Sequence, residues 1–448
     1  EDMPEVMEHE GEVLHAIDFE GEIYMRQERN GMLVGTYEKN GEPWSEQVAP
    51  WDFVSALLPP DIDRIASRLE VGFSHFPPIE RAGIKQIIHG PFTFAPDGNP
   101  LMGPVRGLKN YWVACAVMAG FSQGGGVGLA LSNWMVDGDP GFDVWAMDVA
   151  RFGDYTNLAY TNAKVRENYS RRFQIVFPNE ELPAARNLRM TPAHERLKEH
   201  NAVFGVAFGL ETALWFAPEG SEPIEEVTFR RSNAFASVAE ECRAVREAVG
   251  LIEIAGFAKY EVTGPEAEVW LSHLLANKIP RQGRMALCPM LNPAGKLIGD
   301  FTVAKLSNER FYIFGSGPAE DYHMRWFEQH LPPSGVDVRA LGGNLVGFSI
   351  AGPQSNELLS RLTHEDVSTK AFRFMSIREM DVGMIPAMVA RITFTGDLGY
   401  EIWVKNDYQL ALHDLLYETG KDLGIRHFGS RALDSLRLEK SFGNWARE

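Results

Sequence analysis

The sequence has few cysteines, no long apolar run and no excess of positive charge. Its three cysteines, Cys115, Cys242 and Cys288, are far apart and form no CxxC pair. This excludes a disulfide framework and a cysteine-rich zinc site, and it fits a reducing compartment. No stretch approaches the roughly 18 to 20 apolar residues that a transmembrane helix needs. Lys and Arg number 43 against 61 Asp and Glu, and the resulting net charge of −18 repels nucleic acid and anionic membranes. We therefore expect neither nucleic acid nor a membrane as a partner.

What remains is the composition of an ordinary globular protein. Of the 448 residues, 45% are hydrophobic and 23% are charged, with 42 glycines and 26 prolines. This length allows two or three domains with sizeable cores. The same composition excludes a collagen-like, low-complexity or wholly disordered chain.

The first part of the chain has the pattern of short strands and turns. Two alternating runs, residues 22–26 and 32–37, lie on either side of Arg29-Asn30-Gly31, which predicts a β-hairpin. Residues 60–75 have the pattern of a helix with acidic residues in its first turn. A turn at 96–100 follows.

A strand and a glycine-rich helix are expected next. Residues 111–117 predict a buried strand, after which Gly124-Gly125-Gly126 should open a helix that runs through Trp134. Residues 140–200 lack sustained periodicity, which indicates a connector.

From about residue 200 the pattern changes to alternating strands and amphipathic helices. The predicted helices are 239–249, 265–276, 319–330, 354–361 and 408–423. The predicted strands are 258–263, 300–306, 310–315, 346–351, 387–394 and 400–404. A last helix starts near Leu433, and the chain stops at Arg447-Glu448 without a closing strand. We therefore expect the C-terminal domain to be incomplete, and the start of the chain has an equally abrupt pattern.

The segment Gly120–Gly128 combines a strand end, several glycines and a helix start. A helix N-terminus carries about half a positive charge and unpaired N–H groups, so it can stabilise an anion or an electron-rich carbonyl. Glycines would let a planar ring or a phosphate approach the backbone. The spacing is not GxGxxG, so this is no standard dinucleotide fingerprint. A close helix–strand crossing that needs small residues explains the glycines equally well.

This region resembles the final FAD-binding segment of the flavin amine oxidases related to D-amino-acid oxidase. The resemblance rests on Asp97-Gly98-Asn99-Pro100-Leu101-Met102-Gly103, the strand and Gly120–Gly128. It implies that the helix points at the flavin and that Asp97, Gly98, Gly124, Gly125 and Gly126 bind FAD. The family's N-terminal GxGxxG unit and the histidine that carries covalent flavin in some members are absent from this sequence.

Within the same resemblance, Tyr24 and Arg26 fall on the sheet that lies over the flavin. Tyr24 could hold an alkylated amine by a cation–π contact and act in catalysis, and Arg26 could pair with a substrate carboxylate. The alternative is an ordinary strand tyrosine beside a solvated arginine.

Two segments in the second half place carboxylates near strand entrances. Asp300 follows the turn Ala294–Gly299 and could hold or move a proton at a ring nitrogen, or it could simply cap the turn. Gly396 and Gly399 make a sharp turn, so that Asp397 and Glu401 could converge on one pocket wall. Carboxylates placed there can accept hydrogen bonds from a pterin, as acids read a guanine-like edge. An ordinary hairpin with exposed acids is the other interpretation.

Taken in order along the chain, the motifs resemble the aminomethyltransferase fold of the glycine-cleavage T-protein, which binds tetrahydrofolate. They are Phe208-Gly209-Leu210-Glu211, Trp215-Phe216, Gly264-Pro265, the Asp300 segment, Ala351-Gly352-Pro353, Thr395–Glu401 and Leu436–Lys440. With the flavin segment upstream, the whole chain is similar to the dimethylglycine dehydrogenase / sarcosine dehydrogenase family.

This resemblance implies a mixed α/β (α+β) fold class. Residues 1–140 would be the C-terminal part of the FAD-dependent amine oxidase domain and 141–200 a connector. Residues 201–448 would form the aminomethyltransferase-like folate domain, incomplete at its C-terminus. Asp300 would act near the reactive folate nitrogens, while Asp397, Tyr400 and Glu401 would bind folate.

Three positions depart from the family pattern. Phe394 stands where many members have a hydroxyl side chain, the turn acid Asp397 replaces Glu, and Glu253 replaces Asp. The hydroxyl contact to folate is lost at Phe394.

The implied activity is oxidative demethylation of dimethylglycine or sarcosine with FAD, followed by transfer of the carbon to tetrahydrofolate. Electrons would leave to an electron-transfer flavoprotein or to oxygen. The implied location is a bacterial cytoplasm or a mitochondrial matrix. Three alternatives stay open: a folate-dependent aminomethyltransferase without flavin chemistry, a non-catalytic folate-binding module, and a flavin oxidase whose folate domain is inert.

Overall fold

A computed structural model describes residues 1–13 and 15–446. The predicted chain end at Arg447-Glu448 lies outside the described residues. Among the described residues, no helix has the length and apolar character that crossing a bilayer requires.

The first part of the chain forms a small sheet, a two-stranded ribbon and a long helix. Its elements are α1 (Pro4–Met7), β1 (Ala16–Asp18), β2 (Ile23–Glu28), β3 (Gly31–Thr36), α2 (Ala66–His75), α3 (Pro78–Arg81), β4 (Leu101–Pro104), β5 (Trp112–Cys115) and α4 (Gly120–Asp137). The strands β1, β2 and β3 form one antiparallel sheet, and β4 pairs with β5.

The predicted hairpin is confirmed. Strands β2 and β3 pair antiparallel from Ile23 opposite Thr36 to Glu28 opposite Gly31, which leaves Arg29 and Asn30 as the turn. Because side chains alternate along a strand, the buried Ile23 and Met25 face one side and pack over α2.

The strand and helix that follow differ from the sequence expectation. Strand β5 covers only 112–115, pairs with β4 alone, and is partly exposed rather than buried. Helix α4 begins at Gly120, so Gly124, Gly125 and Gly126 lie in its second turn instead of opening it. The helix starts earlier because nothing in Phe121-Ser122-Gln123 opposes helical geometry, and Ala119 accepts the first backbone bonds from Ser122 and Gln123.

The connector contains more regular structure than its sequence predicts. Helix α5 (Leu158–Ser170) is capped by Asn157, whose side chain accepts from the Tyr160 amide at 3.0 Å, and α6 (His194–Glu199) follows. Helix α5 has no buried residue, so its face carries no apolar stripe from which a period could be read.

The remaining residues form two large sheets with helices on their outer sides. The strands are β6 (Ala202–Ala207), β7 (Leu210–Phe216), β8 (Val249–Glu253), β9 (Ala258–Thr263), β10 (Arg284–Leu291), β11 (Leu297–Ser307), β12 (Arg310–Gly315), β13 (Asp337–Ala340), β14 (Leu345–Ala351), β15 (Ile377–Val382), β16 (Ile385–Ala390), β17 (Gly399–Lys405) and β18 (Ile425–His427). The helices are α7 (Ala234–Glu247), α8 (Ala267–Leu274), α9 (Glu320–Gln329), α10 (Ser355–Ser360), α11 (Gln409–Gly420) and α12 (Ser430–Glu439).

Strand order defines the two sheets. One runs β10-β11-β12-β9-β13 and the other β15-β16-β17-β14-β8-β18, while β6 and β7 form a separate hairpin. Only β18 runs parallel to its neighbour in the larger sheet. The predicted mixed α/β class is confirmed, and each predicted strand or helix of this region overlaps an observed one. Strands β6, β7, β8, β10, β13, β15 and β18 were missed.

Three large apolar cores, and a small one between the β6–β7 hairpin and α7, result from this arrangement. One lies between the helices and the larger sheet, and another lies between α8, α9 and the smaller sheet. The third lies between the two sheets and includes Ala304 of β11 and Trp403 of β17. Along each strand, every second side chain faces the helices, and the side chains between them point into the space between the two sheets. The candidate site residues Asp300 and Glu401 lie on these inward faces.

Candidate functional site

The exposed side of α4 has the features expected of a flavin-facing helix. A side-chain carbon added at Gly120, Gly124, Gly125, Gly126 or Gly128 would meet nothing within 4 Å. The Gly120 and Phe121 N–H groups at the start of α4 have no earlier helical turn to bond to, and the N-cap residue Ala119 offers no side-chain hydrogen bond. Phe121 and Leu129 on the same helix are exposed. A bare glycine surface at a positive helix end fits a planar, electron-accepting ring.

The predicted FAD residues Asp97 and Gly98 lie in a tight turn. The Asp97 carboxylate accepts from the Asn99 amide at 3.1 Å and from Arg151 Nε and Nη2 at 2.7 and 2.8 Å. Gly98 has a φ of +76°, a conformation that glycine adopts without strain. The Asp97 carboxylate is thus paired within the chain, and its role toward FAD stays a prediction.

Tyr24 and Arg26 share the face of β2 that points away from α2. Tyr24 packs over Gly35, where a side chain would collide with its ring. Burial raises the pKa of Tyr24 above its usual value. Arg26 donates to Glu28 at 2.7 Å, so a substrate carboxylate would have to replace Glu28 as its partner. The structure therefore brings these two predicted residues to one surface.

Asp300 and Glu401 both face the space between the two sheets. On β11, Phe301 and Val303 pack toward the helices, so Asp300 lies on the opposite face together with Ala304. On β17, Ile402 packs toward the helices and Glu401 shares the inner face with Trp403. The two predicted carboxylates thus point from different sheets into the space between them, the inter-sheet pocket. Glu401 does not line the cavity that Asp300 lines.

Asp300 also lines a cavity of about 780 Å³ at the junction with the first part of the chain. Trp134 of α4 and Trp145 line it on one side, and Tyr322 of α9 lines it on the other. Partial removal from water raises the pKa of Asp300 above its usual value. A carboxyl group with a raised pKa is better suited to exchange a proton near neutral pH.

Glu401 is enclosed by protein, and burial raises its pKa to about 7 against the opposing effect of the neighbouring Trp403 N–H. The Trp403 Nε1 atom is buried, and its N–H lies next to the Glu401 carboxylate, which is an acceptor for it. A donor and an acceptor thus lie side by side on the inner face of β17. These groups fit the polar edge of a pterin.

Lys259 adds a positive group that sequence reasoning missed. It is 1% exposed, donates to the Ala255 carbonyl at 2.7 Å, and lies 5.9 Å from the Trp403 ring centroid. Burial lowers its pKa to about 8. Alternation along the correctly predicted strands 258–263 and 400–404 could have placed Lys259 and Trp403 on inner faces, but strand pairing was needed to bring them together.

The other two predicted folate residues are held by the protein itself. Asp397 accepts from Arg246 at 3.2 Å, and its role toward folate stays a prediction. Tyr400 is fully buried on the helix side of β17, opposite to Glu401, where its hydroxyl accepts from Asn356 at 2.6 Å. Because side chains alternate along a strand, Tyr400 and Glu401 lie on opposite faces of β17, and Tyr400 does not face the space between the sheets.

Glu253, one of the departures from the family pattern, also lies on the helix side. Gln409 donates to its carboxylate at 2.6 Å, and burial raises its pKa to about 7. The replacement of Asp by Glu at this position therefore affects the buried contact with Gln409 and not the inter-sheet pocket.

Comparison with known families accounts for nearly the whole chain. Residues 193–448 match the GCVT N-terminal domain, 137–191 match the FAD dependent oxidoreductase central domain, and 3–134 match the FAD dependent oxidoreductase family. Dimethylglycine dehydrogenase of Rattus norvegicus is 34% identical over 100% of this chain and 53% of its own length. The chain belongs to the GCVT N-terminal domain family, whose model matches more than half of its residues. It spans about half the length of the curated relatives it matches.

Two further relatives carry different names. A 4-methylaminobutanoate oxidase (formaldehyde-forming) of Paenarthrobacter nicotinovorans is 33% identical over 95% of this chain and 52% of its own length. A pyruvate dehydrogenase phosphatase regulatory subunit of Mus musculus is 28% identical over 96% of this chain and 50% of its own length. The predicted cofactors agree with the matched domains: FAD with the oxidoreductase segments and tetrahydrofolate with the GCVT domain.

Proposed function

We propose that this chain forms the part of an enzyme in which oxidation of an N-methyl group meets transfer of the carbon to folate. The substrate is an N-methylated glycine, dimethylglycine or sarcosine, and the product is 5,10-methylenetetrahydrofolate. One observation carries the proposal: the cavity beside Asp300 is lined both by the first part of the chain and by the GCVT domain.

On the flavin side, α4 and the β2 face have separate tasks. The N-terminus of α4 stabilises negative charge, and its glycine surface leaves room for FAD, which when bound accepts the electrons of the N-methyl carbon. Tyr24 holds the amine and Arg26 orients the carboxylate. The amine reacts as its neutral form, and the partly buried position of Tyr24 favours that form.

On the folate side, the inter-sheet pocket binds the pterin and Asp300 handles the proton. Glu401 and the neighbouring Trp403 N–H offer complementary hydrogen-bonding groups to the pterin edge. Asp300 takes up or returns a proton at the folate nitrogen that attacks the oxidised carbon. The aromatic side chains of Trp134, Trp145 and Tyr322 in the cavity wall limit hydrolysis of that carbon to formaldehyde on its way.

For the electrons we propose an electron-transfer flavoprotein or oxygen as acceptor. The matched rat and human dimethylglycine dehydrogenases are named as mitochondrial. For this chain we propose a mitochondrial matrix in a eukaryote or the cytoplasm in a bacterium.

A second candidate is a flavin oxidase that releases formaldehyde. Two observations favour it: a relative bears the name of a formaldehyde-forming oxidase, and Phe394 lacks the hydroxyl found in many members of the family. The relative named as a regulatory subunit supports the non-catalytic alternative.

The whole enzyme should be purified, checked for flavin absorbance, and mixed anaerobically with dimethylglycine, sarcosine or 4-methylaminobutanoate. We expect one of the two glycine derivatives to bleach the flavin fastest. Added tetrahydrofolate should then suppress formaldehyde and give methylenetetrahydrofolate. Bleaching of the flavin together with formaldehyde release that does not depend on folate would support the formaldehyde-releasing oxidase. A protein that carries no reducible flavin would contradict both candidate functions.

A further inference from the structure

Three histidines from separate elements meet on the helix side of the larger sheet. His200 follows α6, His413 lies in α11 and His427 ends β18. Ring nitrogens of all three lie within 4.8 Å of one another. His413 and His427 are 1% and 5% exposed, and His200 is half-buried.

From this cluster, we propose a binding site for a divalent transition-metal ion, with zinc as the best fit, held by His200, His413 and His427. Imidazole nitrogen is a preferred ligand of zinc, and three histidines with a water molecule complete a tetrahedral site. The cluster lies away from the inter-sheet pocket, because His413 contacts Phe348, which faces the helix side of the sheet.

Small shifts of the three rings would bring their nitrogens to the distances that zinc requires. Zinc–nitrogen bonds of about 2.0 to 2.1 Å in a tetrahedron put the ligand nitrogens about 3.3 Å apart. His413 Nε2 and His427 Nε2 are 2.8 Å apart, so they need to separate by about half an ångström. His200 is the least buried of the three, and its ring has to move closer to the other two rings.

The surroundings orient the rings as a metal site needs. His413 Nδ1 donates to the Asp414 carboxylate at 2.9 Å, which leaves Nε2 with its lone pair directed at the other histidines. Asp414 is held in turn by Arg196 at 3.0 Å. An arrangement of carboxylate, histidine and metal is the usual one for zinc ligands.

Metal binding uses the neutral form of each imidazole, in which one ring nitrogen has a lone pair to donate. The His427 proton has to lie on Nδ1 when Nε2 binds the metal, and no covalent bond other than this N–H changes.

Tyr417 and Phe216 enclose the cluster without competing for it. The Tyr417 ring lies 4.5 Å from His200 and 4.8 Å from His427 between centroids, and Phe216 stacks on His427 at 5.1 Å. A metal bound here would join the connector, through His200, to the last helix–strand pair of the larger sheet. We therefore expect it to stabilise the attachment of the connector.

The test uses the whole enzyme, freed of any histidine tag and dialysed against a chelator. Zn²⁺ should bind with one-to-one stoichiometry in calorimetry and raise the Tm by about 3 °C or more. Co²⁺ at the same site should give the visible absorption of tetrahedral coordination. In His413→Gln we expect the Co²⁺ absorption to disappear and the zinc-dependent Tm shift to be lost.

Two further variants keep the result interpretable. His200→Gln changes the least buried ligand, so it should fold if His413→Gln does not, and we expect at least tenfold weaker zinc binding. His364→Gln changes an exposed histidine outside the cluster and should bind like the wild type. Absence of one-to-one binding, or equal binding by His200→Gln and wild type, would overturn the proposal and leave a hydrogen-bonded histidine pair.

Discussion

Arg325 of α9 and Asp148 of the connector form a buried, two-pronged ion pair. Arg325 Nη1 donates to Asp148 Oδ1 at 2.9 Å and Nη2 donates to Oδ2 at 2.7 Å, with side chains 6% and 1% exposed. Nη1 also donates to the Pro104 carbonyl at 2.8 Å. The pair fastens the GCVT domain to the flavin side at the wall of the cavity that both parts line.

Replacing Asp148 with Asn should destabilise this junction. A buried guanidinium would lose its carboxylate, and breaking such a pair costs about 3–5 kcal/mol. Urea unfolding should show the loss, and limited proteolysis should cut the connector faster than in the wild type. Glu418→Gln removes an exposed pair with Lys421 and should change stability by only about 0.5 kcal/mol. Equal stability of Asp148→Asn and wild type would show that the junction does not depend on the pair.

Glu401→Gln should stabilise the protein at alkaline pH. The folded pKa of about 7 lies above the ordinary value of 4.5, so Glu401 favours folding only while protonated. Its contribution is fully present below pH about 4.5 and is lost as pH rises through about 7. Relative to the variant, the wild type should lose on the order of 1–3 kcal/mol between pH 5 and pH 8.

Unfolding free energies of both proteins across this pH range measure the difference. Glu309→Gln, an exposed change between β11 and β12, should show no such pH dependence relative to the wild type. The same Glu401→Gln protein should bind tetrahydrofolate more weakly. A pH-independent difference in stability would mean that Glu401 is not confined as described.

Gly125→Ala should separate helix stability from flavin binding. The added methyl group meets nothing within 4 Å, and alanine favours a helix over glycine by about 1 kcal/mol. The variant should therefore fold at least as well, while FAD binding in the whole enzyme weakens about tenfold or more if the ring approaches this backbone. Ser132→Ala, further along the same helix, is the control and should keep full flavin content. Unchanged FAD affinity in Gly125→Ala would show that the flavin does not bind against this face of α4.

Sequence patterns were sufficient where side-chain alternation and turns decide structure locally. The turn at Arg29-Asn30 and the strands that carry Asp300 and Glu401 follow from alternation and turn residues. The sequence pattern misplaces the start of α4, because Gly124-Gly125-Gly126 predict a helix start whereas the helix begins at Gly120.

The contacts between residues far apart in the chain could not be predicted from the sequence pattern. Lys259 and Trp403 are 144 positions apart in a chain of 448, and only the packing of two sheets brings them together. For Tyr400, local strand geometry was the deciding factor. The motif predicts that Tyr400 and Glu401 both bind folate, but neighbouring residues of a strand point to opposite faces of the sheet. The histidine cluster has no sequence motif, because its three members come from the residue after α6, from α11 and from β18.

The most direct test of the account compares Asp300→Asn with the wild type in a single anaerobic turnover with tetrahydrofolate. We expect flavin reduction by the N-methyl substrate to stay within about twofold, since Asp300 lies on the folate side. Formation of methylenetetrahydrofolate should fall by about 10²-fold or more, and formaldehyde should take its place. Asp381→Asn, an exposed change on β15, should behave as the wild type. Methylenetetrahydrofolate formed at the wild-type rate by Asp300→Asn would contradict the assignment of the second step to this pocket.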